Sequence, residues 1–276
     1  MELHRVYIVA NTAKKGSLRA LAVLKAWCQG KGIEAIPIDL QKPAFREVEG
    51  ALVVALGGDG TVLRAASIFA GSVIPILGAN TGSLGFLTQV SATSLTAVLE
   101  GILRGQFSIE ERMRLAFVCG DVRGTALNDL VFLSVSPRRF CELELLWSEG
   151  VVATYPGDGL IIATPTGSTA YNLSVGGPVV VPPAANILVS PMAVHRLGLR
   201  PLIFPADEIL RVRTHTAASL FGDGDFLLDL APLAEVTIER AALPTRLVRV
   251  LNAPAFFSLL EGKLNWGGNE QRRNGD

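Results

Sequence analysis

The sequence predicts an α/β domain joined to a second, mainly antiparallel β-rich domain, and three observations predict it. Over roughly the first hundred residues short apolar runs alternate with helical periodicity. Glycine-rich turns follow the carboxyl ends of two of those runs. Beyond about residue 107 the helical period gives way to short β-rich runs separated by Gly, Pro and Asp.

Residues 5–10 read as a strand. In 17–29, Leu18, Leu21, Leu24 and Cys28 recur at helical spacing, with Ser17 as N-cap and Gly30 past the end. Residues 33–38 form the next strand. The run 51–56 has the length and β-branched content of a buried parallel strand, and 61–70 reads as the helix after it. A strand over 73–77 and a helix over 91–103 complete the alternation, which calls for a parallel sheet. Strands are then expected over 115–119, 126–135, 141–147, 159–163, 187–189, 209–212, 226–230 and 235–240. The stretch 256–264 is apolar at helical spacing and needs a surface, so it is expected to pack back onto the first domain. The expected division is 1–106 completed by 253–276 for the α/β domain and 107–252 for the β-rich one, with 269–276 as a frayed tail.

Of 276 residues 49% are hydrophobic, and the mean hydropathy is +0.40, ample for packed cores and inconsistent with global disorder. Lys plus Arg equals Asp plus Glu at 25 each, which leaves no overall basic field for nucleic acid or an anionic membrane and favours a small ligand. Cys28, Cys119 and Cys141 are odd in number and lack metal-type spacing, as suits reduced thiols. The N-terminus carries no signal-peptide pattern and no apolar stretch reaches about 18 residues. A soluble, cytoplasmic protein is expected.

Three segments carry chemistry. Gly57-Gly58-Asp59-Gly60 lies where an apolar strand ends and a helix begins, where ligands bind in open α/β sheets and backbone amides approach phosphate. There Asp59 would orient or deprotonate a hydroxyl; the alternative is an ordinary capped turn, although a cap does not need three glycines. A second glycine-rich stretch, 78–87, follows the next strand. Asn80 supplies amide groups and Phe86 an aromatic face for a base, or else the stretch is a tight loop with Phe86 in the core. The third, 155–172, sets the strand 160–163 between two polar clusters. Ser168 or Thr169 could cap a short helix through Asn172, leaving amides and hydroxyls pointed at an anion or ribose, and Asp158 could accept from a sugar hydroxyl. The alternative is a capped turn without further role. Neither a Gly-x-x-x-x-Gly-Lys-Ser/Thr loop nor a Gly-x-Gly-x-x-Gly after a strand occurs, and no histidine pair suits zinc.

In these ordered segments the chain resembles the NAD kinase family, of the bacterial type that uses ATP or polyphosphate, over nearly its full length. Gly57-Gly-Asp-Gly60 is similar to the family's Gly-Gly-Asp-Gly, Asn80-Thr-Gly-Ser-Leu-Gly-Phe86 to its Asn-x-Gly-x-Leu-Gly-Phe, and Asp158-Gly159 through Gly167-Ser-Thr-Ala-Tyr171 to its long signature. Gly-Gly-Asp-Gly alone is shared with phosphofructokinases and lipid kinases; the third segment is far more specific. The resemblance extends to His195 with Arg200-Pro201, Asp223-Gly224, Phe256-Phe257 and Trp266-Gly-Gly268. It implies an N-terminal Rossmann-like α/β domain with a β-rich partner, and transfer of phosphate from ATP or another donor to the 2′-hydroxyl of the adenosine ribose of NAD.

The roles it implies follow the motifs. Asp59 is the general base or orienting group; Gly57, Gly58 and Gly60 cradle phosphates, with Thr61 and Arg64 in the same substrate-binding set. Asn128 and Asp129 hold NAD, Asn80 and Phe86 line the adenosine side, and Asp158, Thr166, Thr169, Ala170, Tyr171 and Ser174 contribute ribose, nicotinamide and amide contacts. Magnesium or another divalent cation comes with the donor, held by triphosphate oxygens and water without protein ligands. A homodimer or homotetramer is implied, with no nucleic-acid or membrane partner. Two departures stand out: the family's Asn-Glu pair is Asn128-Asp129, one methylene shorter, and Asp225 replaces a common Gln. A lipid or sugar kinase sharing the glycine turn, and a noncatalytic NAD-binding regulator, are the rival readings.

Overall fold

The computed structural model describes residues 2–136, 140–196 and 198–266; Leu197, Gly267, Gly268 and the tail 269–276 lie outside them. The chain forms two compact units, one from the described residues of Met1–Ala65, Ile74–Glu110 and Leu247–Asp276, the other from Ala66–Val73 and Glu111–Arg246. Among the described residues no helix is long and apolar enough to cross a membrane.

The first unit is built on a seven-stranded sheet. Arg5–Ala10 pairs in parallel with Glu34–Pro37 and Ala51–Gly57, and Ala51–Gly57 in parallel with Ile76–Asn80. Thr245–Val250 and Phe107–Arg112, both read from sequence as belonging to the β-rich part, extend this sheet beyond Ile76–Asn80. Every residue of Ala51–Gly57 is buried, which is why this run is apolar throughout instead of alternating. On one face the helix Lys15–Gly30 sets Leu24 and Cys28 against Val6, Ile8, Leu52 and Val54. The helix Phe256–Leu264 brings Phe256 to 6.3 Å from Phe86, within the same unit.

Three local expectations are corrected. Ser17 is not an N-cap: the helix starts at Lys15 after an uncapped Lys14, and the buried Ser17 hydroxyl pairs with Thr81 Oγ1 at 3.2 Å. The strand expected over 73–77 is Ile76–Asn80, because Pro75 has no N–H for the ladder and only its carbonyl is used, by Val53 N–H. The helix expected over 91–103 opens with a 3₁₀ turn, Ala92–Ser94, because Ser91 turns its hydroxyl onto Thr93 N–H; the α-helix is Leu95–Leu103.

The second unit stacks two antiparallel sheets, six strands each, as alternating short strands predict. One runs Gly150–Gly157, Cys141–Trp147, Leu210–Thr214, Glu235–Arg240, Leu115–Cys119, Val122–Ala126. The other runs Leu202–Pro205, Asn186–Met192, Gly159–Ala163, Asp129–Ser134, Ala218–Gly222, Asp225–Leu230. Leu143, Leu145, Val212 and Ile238 of the first meet Leu130, Phe132, Leu160, Ile162 and Leu220 of the second in one core. What reads as a single strand over 126–135 is two strands in different sheets, joined through 127–128. Strand alternation then puts Leu130 and Phe132 inward and Asp129, Val131 and Leu133 on the outer face.

Candidate active site

In the first unit the two glycine-rich stretches converge. Asp59 is the first residue of the helix Asp59–Ile68, and its carboxylate is grasped by the loop 85–88 rather than by the amides of its own turn. Oδ2 accepts from Phe86 N–H at 2.8 Å; Oδ1 accepts from Leu87 N–H at 3.0 Å, Thr88 N–H at 3.1 Å and Thr88 Oγ1 at 3.4 Å. The carboxylate orientation is therefore fixed, and Oδ2, with a single donor, keeps lone-pair capacity for a hydroxyl. The glycines divide by what they do. A Cβ on Gly85 would overlap the Asp59 carboxylate and one on Gly57 the Thr61 side chain, whereas Gly58 and Gly60 face open space.

Gly58 and Gly60 with Thr61 and Arg64 line a cavity of about 410 Å³, closed on its other side by 9–14 and Leu40. It lies at the carboxyl ends of Arg5–Ala10 and Ala51–Gly57, where an open parallel sheet binds ligands. Asn11, Thr12 and Lys14 belong to this lining and were not among the residues read from sequence. The signal was present: polar residues at the end of the first strand, next in the sheet to the strand that leads into Gly57. Asn11 shapes the wall, its side chain accepting from Ala13 N–H at 3.2 Å and its carbonyl from Lys14 N–H at 3.1 Å. Lys14 and Arg64 give the cavity positive charge. Asn80 sits beside Gly57 in the sheet, buried, with its amide donated to Val90 O at 3.0 Å. The half-buried Phe86 lies under Lys263, whose Nζ is 5.7 Å from the ring centroid.

The second unit has its own cavity, of about 330 Å³, on the outer sheet face. Asn128, Asp129, Ala170 and Tyr171 line it, joined by Val131, Leu133, Phe221, Asp223 and Gly224. Asp129 is buried and its Oδ2 has no hydrogen-bond partner. Burial first, then the charge of Asp223, pushes its ionisation up to about 7. Gly167 packs so closely on the Asn128 backbone that no Cβ fits between them.

The remaining candidates lie apart from that cavity or are turned inward. Thr166 is buried, accepting from Arg112 Nη1 at 3.3 Å, and Thr169 Oγ1 donates back to Thr166 O at 3.4 Å. Ser174 is exposed on the turn Tyr171–Ser174. Asp158 is exposed beyond Gly159, which pairs with Leu133 while Ala163 pairs with Asp129; it therefore stands at the opposite end of the strand pair from Asn128. The cap expected from Ser168 or Thr169 does not form. A 3₁₀ turn, Gly167–Thr169, precedes the helical turn with Ala170 between them, and Ser168 Oγ instead donates to Pro165 O and accepts from Val180 N–H. Thr164 and Asn172 are likewise spent on neighbours, the former on Leu127 O, the latter on Ser168 O, Pro178 O and Ser190.

A parallel α/β unit with a glycine turn and cationic cavity at its strand ends, joined in one chain to a double-sheet unit whose own cavity carries Asp129 and Asp223, places the chain among α/β proteins that hold ligands at strand ends. Residues 6–107 match the ATP-NAD kinase N-terminal domain and 127–250 the ATP-NAD kinase C-terminal domain. The chain is 42% identical to the NAD kinase of Moorella thermoacetica over 79% of its own length and 72% of the relative's. It is 34% identical to that of Syntrophotalea carbinolica over 96% and 99%. Among solved structures it is similar to yeast NADH kinase complexed with NADH, with TM-score 0.88 and 21% identity, covering 97% of this chain and 89% of that one. It is also similar to an Archaeoglobus fulgidus NAD kinase in complex with ATP, with TM-score 0.75 and 26% identity over 90% and 94%. The chain belongs to the NAD kinase family.

Proposed function

We propose that the chain transfers the terminal phosphate of ATP to the 2′-hydroxyl of the adenosine ribose of NAD, giving NADP. The observation that carries this reading is the anchored Asp59, held by four donors from 86–88 between two glycines that line a cationic cavity. Phosphoryl transfer asks chiefly for positioning and charge neutralisation. Gly58 and Gly60 offer backbone amides to the donor's phosphates, with Thr61, Lys14 and Arg64 beside them. Asp59 Oδ2 receives the hydroxyl proton late, as the bond to phosphorus forms and the hydroxyl becomes acidic enough to part with it. Gly57 acts by letting Thr61 pack, and Asn80 and Phe86 shape the wall near Asp59. In the second unit Asn128, Asp129, Ala170 and Tyr171 hold NAD, with Thr166 and Thr169 supporting that wall and Asp158 and Ser174 offering exposed polar contacts.

Among the described residues no group of three or more His, Cys, Asp or Glu converges. Magnesium is read as entering with the donor, on its phosphate oxygens, where it would offset the charge of the transferring group. The reading also has the enzyme in the cytoplasm as a homodimer or homotetramer; Asp225–Leu230, last in the order of its sheet and carrying exposed Phe226, is a candidate contact.

The test is an incubation with NAD, magnesium and a panel of donors, with NADP read by a dehydrogenase specific for it and with sugar and lipid acceptors as competitors. Asp59→Asn is expected to lower turnover at least about a hundredfold while NAD still binds. Near-normal NADP formation by that variant sinks the role of Asp59.

A further inference from the structure

We propose that Asp223 is a positioning residue of the NAD site, acting through Asn128 and Asp129. This rests on the reading above that those two residues hold NAD. Asp223 is one of four non-glycine residues with positive φ among the described residues, at +51°, in the turn between Ala218–Gly222 and Asp225–Leu230. Its side chain explains why that conformation persists. Oδ2 accepts from Leu127 N–H at 2.8 Å, and Oδ1 from Asn128 N–H at 2.6 Å and Asp129 N–H at 3.4 Å, while Asp223 N–H donates to Asp129 O at 3.1 Å. From the other side Thr164 donates its N–H to Asn128 O at 2.8 Å and its hydroxyl to Leu127 O at 2.6 Å. Every backbone N–H and C=O of 127–129 is thus engaged by Asp223 or Thr164. The segment that passes from one sheet to the other is clamped, and the Asn128 and Asp129 side chains reach the cavity from a backbone with no slack.

The same clamp decides how the two carboxyls share charge. Burial leaves both raised, but at Asp223 three amide donors and the Arg114 guanidinium oppose it, and with both oxygens accepting N–H bonds Asp223 is the better held as an anion. Asp129 has none of those partners; its Oδ2 is buried and unpartnered, and its proton leaves only near neutral pH. The groups facing Asp129 are Asp223 from the 222–225 turn and Tyr171 across the cavity, while the paired strand presents Ala163. A bare acceptor in such a place calls for a ligand O–H, as a ribose hydroxyl supplies. Binding then releases the Asp129 proton, so NAD affinity rises with pH through about 7.

The experiment is calorimetric titration of the full chain with NAD from pH 6 to pH 8.5, beside a thermal melt of each protein. Affinity of the unaltered protein is expected to rise by roughly tenfold across that range, and Asp129→Asn to abolish the rise. Asp223→Asn keeps the shape but turns an NH₂ toward one of the clamped N–H groups and removes the neighbouring charge. It is expected to bind NAD at least about tenfold more weakly at pH 8, with its remaining pH dependence moved to lower pH. A purely structural role for Asp223 would lower the melting temperature and leave the pH profile in place, and that result overturns the proposal. So does an affinity of the unaltered protein that is flat with pH, which needs no variant to fold. If the folded, unaltered protein binds no NAD at any pH, the parent reading falls and this proposal with it.

Discussion

Asp59 and Gly85 are one device. The carboxylate occupies the space in which any side chain at position 85 would place its Cβ, so the glycine's missing atom is what admits the Asp59 carboxylate. Gly85→Ala is therefore expected to dislodge the carboxylate and lower turnover by about a hundredfold, comparable to Asp59→Asn, with NAD affinity changed by a few fold; steady-state kinetics read the split. Asp129 supplies a second prediction. The folded chain retains a proton there that the unfolded chain gives up near pH 4, so stability falls as pH rises from about 4 through about 7. Asp129→Asn should stabilise the ligand-free protein by roughly 2 kcal/mol or more at pH 8 and have little effect near pH 4, measured by denaturant unfolding at the two pH values. The presence of Asp59 in a glycine turn was legible in the sequence. Its partners were not, because they lie 27 to 29 positions away and meet it only through sheet pairing.

Strands and helices were legible wherever one periodicity dominated. The run 51–56 is apolar because it is central, and 235–240 alternates because one face is buried, so both emerged from pattern alone. The failures fall where a local signal was outweighed by a distant partner. Ser17 has the chemistry of a cap but is drawn inward by Thr81, and the hydroxyl cluster 164–172 looks ligand-facing until Val180 and Ser190 arrive to use it. Asn172 is the hub of that cluster. Its Nδ2 donates to Ser168 O at 3.2 Å and Pro178 O at 3.1 Å, and its Oδ1 accepts from the buried Ser190 hydroxyl at 2.6 Å. Gly177 lies so near the Asn172 amide that no Cβ fits there. Asn172→Ala strands three polar partners at once, two of them in buried bonds, and should cost about 3 kcal/mol, seen as a lower denaturant midpoint at unchanged slope.

At the scale of the molecule, the first unit is discontinuous in sequence. Thr245–Val250 pairs with Ile76–Asn80, Leu247 lying opposite Ile76, and stands between it and Phe107–Arg112. Most of the second unit, Glu111–Arg246, is encoded within that gap. This order has a consequence for biosynthesis. While the ribosome makes the intervening segment, at about 5–20 residues per second, the strand Ile76–Asn80, buried throughout in the finished fold, waits on the order of ten seconds with an edge that its final neighbour has yet to fill. A nascent chain arrested near position 240 should be cut by protease within its first hundred or so residues, whereas the released chain should resist. Equal resistance of the two would show that the early strands close without their late partner. The unit begun at the amino terminus thus receives an interior strand of its sheet only when residues 245–250 emerge.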